Sequence, residues 1–317
     1  MLEKIRNKPI VINSDLDGIM SGLLLKKYLN CSIVGFTNSA ETVWLNERLC
    51  DDYSELCFVD IFITNPDTIT IDQHIISVNE QHHNLLEKNS NKINPNLLNP
   101  RFHLPNSSYK TKYPFGTVHF IIALFEKMGI EIDSAISEVN PHKLCCIDFI
   151  LRADDAMKTT VDSKYVDNAA DWWNWLKELS NDGKTTNDFI DYLGNTTPKK
   201  AKELKKRIGD ILKKDPYYCD TSDGGIHEIT NDDNFLKTSV IAYFKIIASL
   251  MHIELFDVES PFKSYAGVSE RMSLTQKQRQ ELIESNTIDG KKLFSYAFVR
   301  TSGRAESFSA TYFQKNS

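Results

Sequence analysis

The sequence predicts an α/β fold, with a doubly wound, mostly parallel sheet in its N-terminal half. Three observations lead to this prediction. Short apolar runs of strand length alternate with helical segments through about residues 1–160. The apolar runs contain few polar residues, as strands buried on both faces do. The 317 residues suggest about two domains, so a helical connector and a second, smaller C-terminal domain are expected to follow.

The overall composition is that of an ordinary globular protein, with 41% hydrophobic and 25% charged residues. The net charge of −6 attracts no long polyanion, so small substrates or a locally basic cleft fit better than a wide nucleic-acid footprint. Six scattered cysteines without a Cys-x-x-Cys pair are interpreted as buried thiols, which are typical of a reducing compartment. No apolar stretch approaches ~18 residues. We therefore expect a cytoplasmic protein without a membrane partner, and a homo-oligomer stays open.

The alternation of strands and helices in residues 1–160 is read from short segments. The predicted strands are KPIVIN, CSIVGFTN, ELCFVDIFI and TITIDQH, and the predicted helices between and after them are GIMSGLLLKKYLN, ETVWLNERLC and NEQHHNLLEK. Residues 91–114 are rich in Asn and Pro and predict a loop. Two apolar helices follow, one ending at Gly129 and one beginning near Pro141.

The remaining chain divides into two parts. Residues 161–215 are amphipathic and charged and predict connecting helices, in which Trp172, Trp173 and Trp175 are interpreted as packing residues. Residues 216–317 predict an α/β or α+β domain: SVIAYFKIIASLMHIEL is expected to be a helix that leads into a strand, and KKLFSYAFVRTSGRAESFSATYF alternates as strands do.

Acidic residues follow or interrupt several of these strands. Asp15 and Asp17 come directly after the first strand, Asp60 interrupts the apolar run CFVDIFI, and Asp72 and His74 end the next strand. Ligands of α/β proteins bind at the carboxyl ends of parallel strands. A lone buried aspartate is costly unless it is paired or metal-bound. Oxygen ligands with one imidazole suit Mn²⁺ or Mg²⁺ better than a structural zinc ion.

The order of these motifs resembles the DHH phosphoesterase superfamily over about residues 9–157. The resemblance rests on Asn-Ser-Asp-Leu-Asp-Gly, on the strand with Asp60, on Ile-Asp-Gln-His, on INPN at residues 93–96, on YPFGTVHFIIALFE and on ILRADDA. The superfamily includes single-strand exonucleases of the RecJ type, short-oligoribonucleotide nucleases, cyclic dinucleotide phosphodiesterases and manganese-dependent inorganic pyrophosphatases.

The resemblance implies a set of site residues. Asp15 and Asp17 match the paired metal ligands of the first motif, and Asp60 matches the aspartate that bridges two Mn²⁺ or Mg²⁺ ions. Asp154 matches the ligand of the fourth motif, with Asp155 and Asp148 as weaker candidates. Asp72 and His74 match the outer letters of Asp-His-His and are the expected catalytic residues. Two ions of this kind clamp a phosphate and activate water.

Two positions depart from the family pattern. Asn13 stands where His or Asp is usual, and Gln73 replaces the middle His of Asp-His-His. Amide oxygens can coordinate a metal but carry no charge, so one metal position is better supplied than the other. His82 and His83 are interpreted as surface residues of a helix, one of which could replace the missing ligand, and His119 as a core histidine.

Substrate recognition is expected from the C-terminal part. The family carries a Gly-Gly-Gly-His loop there, of which Gly224-Gly225 with His227 is a faint echo. The segment VRTSGRAES is the better candidate for binding phosphate through guanidinium and backbone N–H groups. Its expected substrate-binding residues are Arg300, Ser302, Gly303 and Arg304, and an exposed hairpin turn is the alternative.

The expected function is a metal-dependent phosphodiesterase acting on short oligonucleotides, cyclic nucleotides or single-strand ends. Two alternatives stay open. One is a catalytically weakened binding or regulatory protein of the same fold, because Asn13 and Gln73 are neutral. The other is a phosphohydrolase similar to the inorganic pyrophosphatases. The expected partner is a phosphodiester or nucleotide substrate, with a short single-stranded nucleic acid among the candidates.

Overall fold

The computed structural model describes residues 1–38, 41–49, 56–99, 112–133, 164–195, 226, 228–300 and 306–313. The predicted helices within 141–157 and 197–215 lie outside the described residues, as do the predicted site residues Asp154, Ser302, Gly303 and Arg304. The weaker candidates Asp148 and Asp155 and the motif residues Gly224, Gly225 and His227 lie outside them too.

The strands in the described residues vary in length. They are β1 Pro9–Asn13, β2 Ser32–Thr37, β3 Thr42–Asn46, β4 Cys57–Val59, β5 Thr70–Ile71, β6 Lys92–Ile93, β7 Phe262–Met272, β8 Thr287–Ile288, β9 Lys291–Lys292, β10 Ser295–Arg300 and β11 Glu306–Phe313. The two longest, β7 and β11, lie in the C-terminal part.

The helices in the described residues are α1 Leu16–Leu29, α2 Glu80–Lys88, α3 Pro95–Leu98, α4 Thr117–Lys127, α5 Lys164–Leu179, α6 Lys184–Asn195, α7 Thr238–Leu250 and α8 Gln276–Ser285. Six of them lie in segments where helices were predicted, whereas α3 and α8 were not predicted. None of these helices is both long enough and apolar enough to cross a membrane, a finding that covers only the described part of the chain.

One large sheet has the strand order β10-β11-β7-β3-β2-β1-β4-β5-β6. The five strands β2, β1, β4, β5 and β6 are parallel. Antiparallel pairing joins β2 to β3, β3 to β7, β7 to β11 and β11 to β10. The α/β class with a mostly parallel N-terminal sheet is therefore confirmed. The C-terminal antiparallel strands extend the same sheet, because β7 pairs with β3.

The sheet curls until its C-terminal edge strand meets the opposite side. Isolated antiparallel bridges join Ile63 to Ser295 and Ile75 to Phe298. The Phe298 N–H donates to the Ile75 carbonyl oxygen at 2.9 Å, and the Tyr296 hydroxyl donates to the Ile76 carbonyl oxygen at 3.0 Å. Strand β10 therefore lies against the segments that follow β4 and β5.

The helices α1, α4 and α7 bury most of their apolar surface in the main core with β1 and β2. Helices α5 and α6 lie in the segment where connecting helices were predicted, and both pack on α4. Trp172 is fully buried and meets the Tyr113 ring edge-on, with 5.2 Å between centroids. The interpretation of Trp172 as a packing residue is thus confirmed, and Trp173 and Trp175 pack half-buried against the same core.

Three local predictions are wrong. Residues 41–50 contain strand β3, not a helix, because Val43, Trp44 and Leu45 suit a pleated surface and find hydrogen-bond partners on both β2 and β7. The predicted loop of residues 91–114 includes β6 and the short helix α3, which Asn94 caps and Pro95 begins. No strand forms between α7 and Phe262, where a strand was expected after the helix.

Candidate metal centre at the carboxyl edge of the sheet

Polar side chains from three neighbouring parallel strands meet at one edge of the sheet. Asn13 is the last residue of β1, Asp60 directly follows β4, and Asp72 directly follows β5. Asp15 and Asp17 lie at the start of α1, just beyond β1. The carboxyl ends of adjacent parallel strands share one edge. We call the four carboxylates of Asp15, Asp17, Asp60 and Asp72 the acidic cluster.

Asp60 lies at the centre of the acidic cluster and is 3% exposed. Its Oδ1 accepts a hydrogen bond from the Thr117 hydroxyl at 2.7 Å, and its Oδ2 accepts one from the Asn13 amide nitrogen at 3.2 Å. Its backbone has a φ of +62°, an uncommon conformation for a residue with a side chain. Strand β4 ends just before this residue, and the Asp60 N–H still donates to the Ile71 carbonyl oxygen at 2.7 Å.

The pKa of Asp60 is raised well above the usual carboxyl value. Burial is the largest cause, followed by the negative charges of Asp17, Asp15 and Asp72, while the Thr117 hydrogen bond acts in the opposite direction. Within the described ranges, neither a lysine nor an arginine forms an ion pair with Asp60. Asp60 therefore has no cationic side chain as an ion-pair partner in these ranges.

Asp17 connects the acidic cluster to helix α4. Its two carboxylate oxygens accept the backbone N–H groups of Thr117 and Val118, at 2.7 and 2.8 Å. These are among the N–H groups that a helix cannot satisfy at its own N-terminus. A Cβ at Gly116 would lie 2.9 Å from both Asp17 oxygens, so glycine is required for this approach.

Asp15 caps the N-terminus of α1. Its Oδ1 accepts the Gly18 N–H at 2.9 Å. A Cβ at Gly18 would lie 2.2 Å from the Asn13 carbonyl oxygen. The Asp-Leu-Asp-Gly turn therefore needs glycine for the close approach of α1 to the end of β1, and this approach places both aspartates at the sheet edge.

Asp72 orients the imidazole of His74. Its Oδ1 lies 2.7 Å from His74 Nδ1, and its Oδ2 accepts the His74 N–H at 3.2 Å. Asp72 is buried, whereas the His74 side chain is 29% exposed. The contact to Nδ1 leaves Nε2 as the ring nitrogen that can meet a ligand.

The backbone around His74 is held by the Asn-Pro-Asn segment. The Asn94 amide donates to the His74 carbonyl oxygen at 2.8 Å, and the Asn96 amide donates to the Gln73 carbonyl oxygen at 2.7 Å. Gln73 is 2% exposed, and its side-chain oxygen Oε1 has no hydrogen-bond partner in the described part of the chain. A buried amide oxygen without a partner is costly, which makes Oε1 a candidate ligand atom.

The donors at this edge fit a hard divalent cation. They are carboxylate oxygens and one unsatisfied amide oxygen, the ligand types that Mn²⁺ and Mg²⁺ prefer. Burial and the neighbouring carboxylates raise the pKa of Asp60, and a bound cation would act against both by favouring the ionised carboxylate. The described ranges contain no group of three or more His, Cys, Asp or Glu side chains already arranged as a metal-binding set. Instead, the carboxylates of Asp17, Asp60 and Asp72 each accept hydrogen bonds from protein groups.

The histidines of α2 are not on the surface, which corrects the sequence interpretation. His82 and His83 are each 3% exposed. The His82 ring stacks on Tyr296 of β10 at 6.5 Å between centroids, and burial lowers the pKa of His82 to about 4. The curl of the sheet buries this face of α2, because β10 returns to cover it.

His119 is a core histidine, as interpreted from the sequence. Its Nδ1 accepts the Gly116 N–H at 3.2 Å, and its ring stacks on Phe189 of α6 at 4.3 Å between centroids. Burial lowers the pKa of His119 to about 3, so the ring is neutral near pH 7.

One C-terminal segment contacts the first motif, and another runs towards His74. The Ile226 N–H donates to the Ser14 hydroxyl oxygen at 3.2 Å, so the single described residue of the Gly-Gly-Ile-His sequence lies beside the first motif. Strand β10 ends at Arg300, two residues after Phe298, which is bridged to Ile75. Because this bridge is antiparallel, the chain from Phe298 to Arg300 runs towards His74.

Sequence reasoning missed Thr117, Asn96 and Lys92 as supports of the site. A Gly-Thr pair at the start of a predicted helix was the available signal for Thr117. For Lys92 the available indication was a single lysine next to Ile93 within the predicted loop of residues 91–114. Its Nζ donates to the carbonyl oxygens of Ile63, Asn65 and Thr68 at 2.7–2.8 Å, which fixes the segment after Asp60.

Comparison of the chain with protein-family models, with curated proteins and with solved structures found no match. The resemblance to the DHH phosphoesterases therefore rests on the motifs themselves.

Proposed function

We propose that this protein is a metal-dependent phosphodiesterase that hydrolyses phosphodiester bonds in short oligonucleotides, cyclic nucleotides or single-strand ends. The observation that carries the proposal is the acidic cluster, centred on the buried Asp60 at the carboxyl edge of parallel strands. Buried carboxylates are paired or coordinate metals. Since Asp60 lacks a lysine or arginine partner in the described ranges, a divalent cation is the partner that its environment calls for.

The residues that would hold Mn²⁺ or Mg²⁺ are Asp15, Asp17, Asp60, Asn13 and Gln73. Asp154, outside the described residues, remains an expected ligand. Bound in a pair, such ions neutralise phosphate charge, lower the pKa of water and stabilise the leaving oxygen. The chain itself supplies a rigid frame, because strand ends and helix N-termini fix the carboxylates before any ligand arrives.

Asp72 and His74 are the proposed catalytic pair. Asp72 holds Nδ1 of the imidazole at 2.7 Å, and His74 is partly exposed next to the buried cluster. This arrangement leaves Nε2 to donate a proton to, or accept one from, a phosphate oxygen or the leaving group. The Asn94 and Asn96 amides hold the carbonyl oxygens of His74 and Gln73 and thereby help to orient the pair.

Substrate binding is assigned to the end of β10 and the segment that follows. The support for Arg300 is the antiparallel bridge of Phe298 to Ile75, from which the backbone of β10 runs towards His74. Arg304, Ser302 and Gly303 complete the proposed phosphate-binding turn. A net charge of −6 disfavours the binding of long polyanions, so short or cyclic substrates fit this protein better.

A second candidate function is a binding or regulatory protein whose catalytic power is weakened. The observation that favours it is Asp17, whose two oxygens both accept backbone N–H groups of α4 and so already serve a structural purpose. Asn13 and Gln73 are neutral where the family carries charged residues or histidine. Such a protein would bind the metal and the nucleotide but turn over slowly.

The test is a hydrolysis profile in Mn²⁺, with bis(p-nitrophenyl) phosphate, a 5-mer RNA, a cyclic dinucleotide and inorganic pyrophosphate. Asp60→Ala should reduce phosphodiester hydrolysis by about 100-fold or more. Asp67→Ala, which removes an exposed carboxylate seven residues further on, is the matched control and should leave the rate unchanged. Equal rates for the wild type and Asp60→Ala would contradict the proposed phosphodiesterase activity. Cleavage of pyrophosphate alone would instead favour a phosphohydrolase similar to the inorganic pyrophosphatases.

Gln73→His separates the two candidates. A large gain in turnover would show that the natural site is weakened and would favour the binding protein. An unchanged or lower rate, with measurable wild-type turnover, would favour the phosphodiesterase.

A further inference from the structure

We propose that Thr117 is a positioning residue, whose hydroxyl fixes the Asp60 carboxylate in the orientation that binds a divalent cation. The inference rests on the proposed function and adds a residue to its site. Thr117 is the first residue of α4 and is fully buried. None of the motifs that resemble the DHH phosphoesterases assigns it a role.

Thr117 contacts two carboxylates of the acidic cluster at once. Its backbone N–H donates to Asp17 Oδ2 and its hydroxyl donates to Asp60 Oδ1, both at 2.7 Å. The three residues are separated by 100 and 57 positions in the chain. One residue thus places a donor on each of two like charges that would otherwise repel each other.

The position of the hydroxyl is set by the helix. The N–H groups of Thr117 and Val118 both point at Asp17, so the first turn of α4 is fixed relative to α1. Thr117 has a branched side chain with few allowed rotamers in a helix. Its hydroxyl is therefore held against Asp60 by backbone contacts that involve a different carboxylate.

Of the two described hydrogen bonds to the Asp60 carboxylate, the one from the Thr117 hydroxyl is the stronger. The Asn13 amide reaches the other oxygen at 3.2 Å, whereas the hydroxyl contact is 2.7 Å long. Without the hydroxyl, Asp60 would keep one long hydrogen bond while three carboxylates repel it. Removing the hydrogen-bond partner of a metal-binding side chain typically weakens metal binding by about 10–100-fold.

The matched control lies at the start of another helix. The Thr186 hydroxyl donates to Glu126 Oε2 at 2.6 Å, and the N–H groups of Thr185 and Thr186 donate to the same carboxylate. This is the same kind of contact between a threonine hydroxyl and a carboxylate, on α6 and outside the acidic cluster. Thr186→Val therefore measures the cost of such a contact without touching the site.

The experiment is Mn²⁺ titration by calorimetry, with Mn²⁺ electron paramagnetic resonance as a second readout, on the wild type, Thr117→Val, Thr117→Ser and Thr186→Val. Val removes the hydroxyl at nearly constant shape and keeps the backbone N–H, whereas Ser keeps both donors. We expect Thr117→Val to weaken Mn²⁺ binding by about 10–100-fold. Thr117→Ser and Thr186→Val should bind as the wild type does.

Thermal melting in EDTA separates a positioning role of Thr117 from a contribution to stability. Thr117→Val and Thr186→Val should both lower the melting temperature, but only Thr117→Val should change the affinity for Mn²⁺. Wild-type affinity in Thr117→Val, or equal weakening in Thr117→Ser, would overturn the inference while the proposed function stands. A wild type that takes up no Mn²⁺ would overturn both. If Thr117→Val does not fold, Thr117→Ala provides the same comparison with Thr117→Ser.

Discussion

Replacing Asp60 by Asn should stabilise the protein without metal, and the variant should gain less stability than the wild type when metal is added. Asp60 is buried, and its pKa is raised by burial and by the neighbouring carboxylates. Asn keeps the shape of the side chain and an oxygen that can accept the Thr117 hydroxyl. It removes one negative charge from the acidic cluster.

The magnitude follows from two opposing terms. Asn loses the acceptor for the Asn13 amide, a contact of 3.2 Å that is worth about 1 kcal/mol. Removing the charge gains about 1.4 kcal/mol for every unit by which the pKa of Asp60 exceeds its solution value. The gain exceeds the loss as soon as the pKa of Asp60 lies more than about one unit above its solution value, and burial together with three neighbouring carboxylates raises it. Each net kcal/mol corresponds to about 1.5 °C in melting temperature for a chain of this length.

Added metal shifts the comparison in favour of the wild type. A ligand at 100 times its Kd stabilises the folded state by about 2.7 kcal/mol, which is about 4 °C here. The wild type should gain this increment in Mn²⁺, and Asp60→Asn should gain little of it. The assay is thermal melting of both proteins at pH 8, once in EDTA and once in Mn²⁺.

The sign of the pH dependence provides a further check. The pKa of Asp60 is higher in the folded than in the unfolded chain. Below about pH 4 both states hold the proton, and the residue costs nothing. As the pH rises towards the raised pKa, the unfolded state ionises first and the metal-free wild type loses stability relative to Asp60→Asn. A variant that is less stable than the wild type in EDTA at pH 8 would refute this account of the cluster.

Three other substitutions test the supports of the site. Asp17→Asn should lower the free energy of unfolding by about 2 kcal/mol in EDTA, because one charge-assisted contact to the N-terminus of α4 is lost. Chemical denaturation measures this loss, and an unchanged midpoint would contradict the anchoring role of Asp17. Lys92→Met should cost about 3 kcal/mol at pH 6, since three buried carbonyl oxygens lose their donor; a neutral effect in the same assay would show that those carbonyls find other partners. Arg300→Ala should raise KM for the 5-mer RNA about 10-fold or more with a smaller change in kcat, and an unchanged KM would remove Arg300 from the substrate site.

The strands and the positions of the acidic residues were readable from the sequence because both follow local rules. Apolar runs with few polar residues indicated buried parallel strands, and a parallel sheet brings its carboxyl ends to one edge. Asp15, Asp60 and Asp72 could therefore be expected to meet, although 57 residues separate the first from the last. Residues 41–50 were misread because Val43, Trp44 and Leu45 form a strand only when β2 and β7 flank them, and β7 begins at Phe262.

The supports of the cluster depend on contacts between distant segments. Thr117 became relevant through Asp17 and Asp60, Ile226 through Ser14, and His82 through the return of β10 over α2. The residues next to Thr117, Ile226 or His82 in the sequence do not indicate these distant partners, so no local pattern could predict the contacts.

The sequence by itself determined the α/β class and which residue types stand at the strand ends, since periodicity and turn chemistry act over a few residues. Only the tertiary structure decided which oxygen of Asp60 faces Thr117, that Asp17 holds α4, and that β10 brings Arg300 towards His74. The physical reason is that these contacts join segments brought together by the burial of the whole sheet, and burial depends on the complete fold.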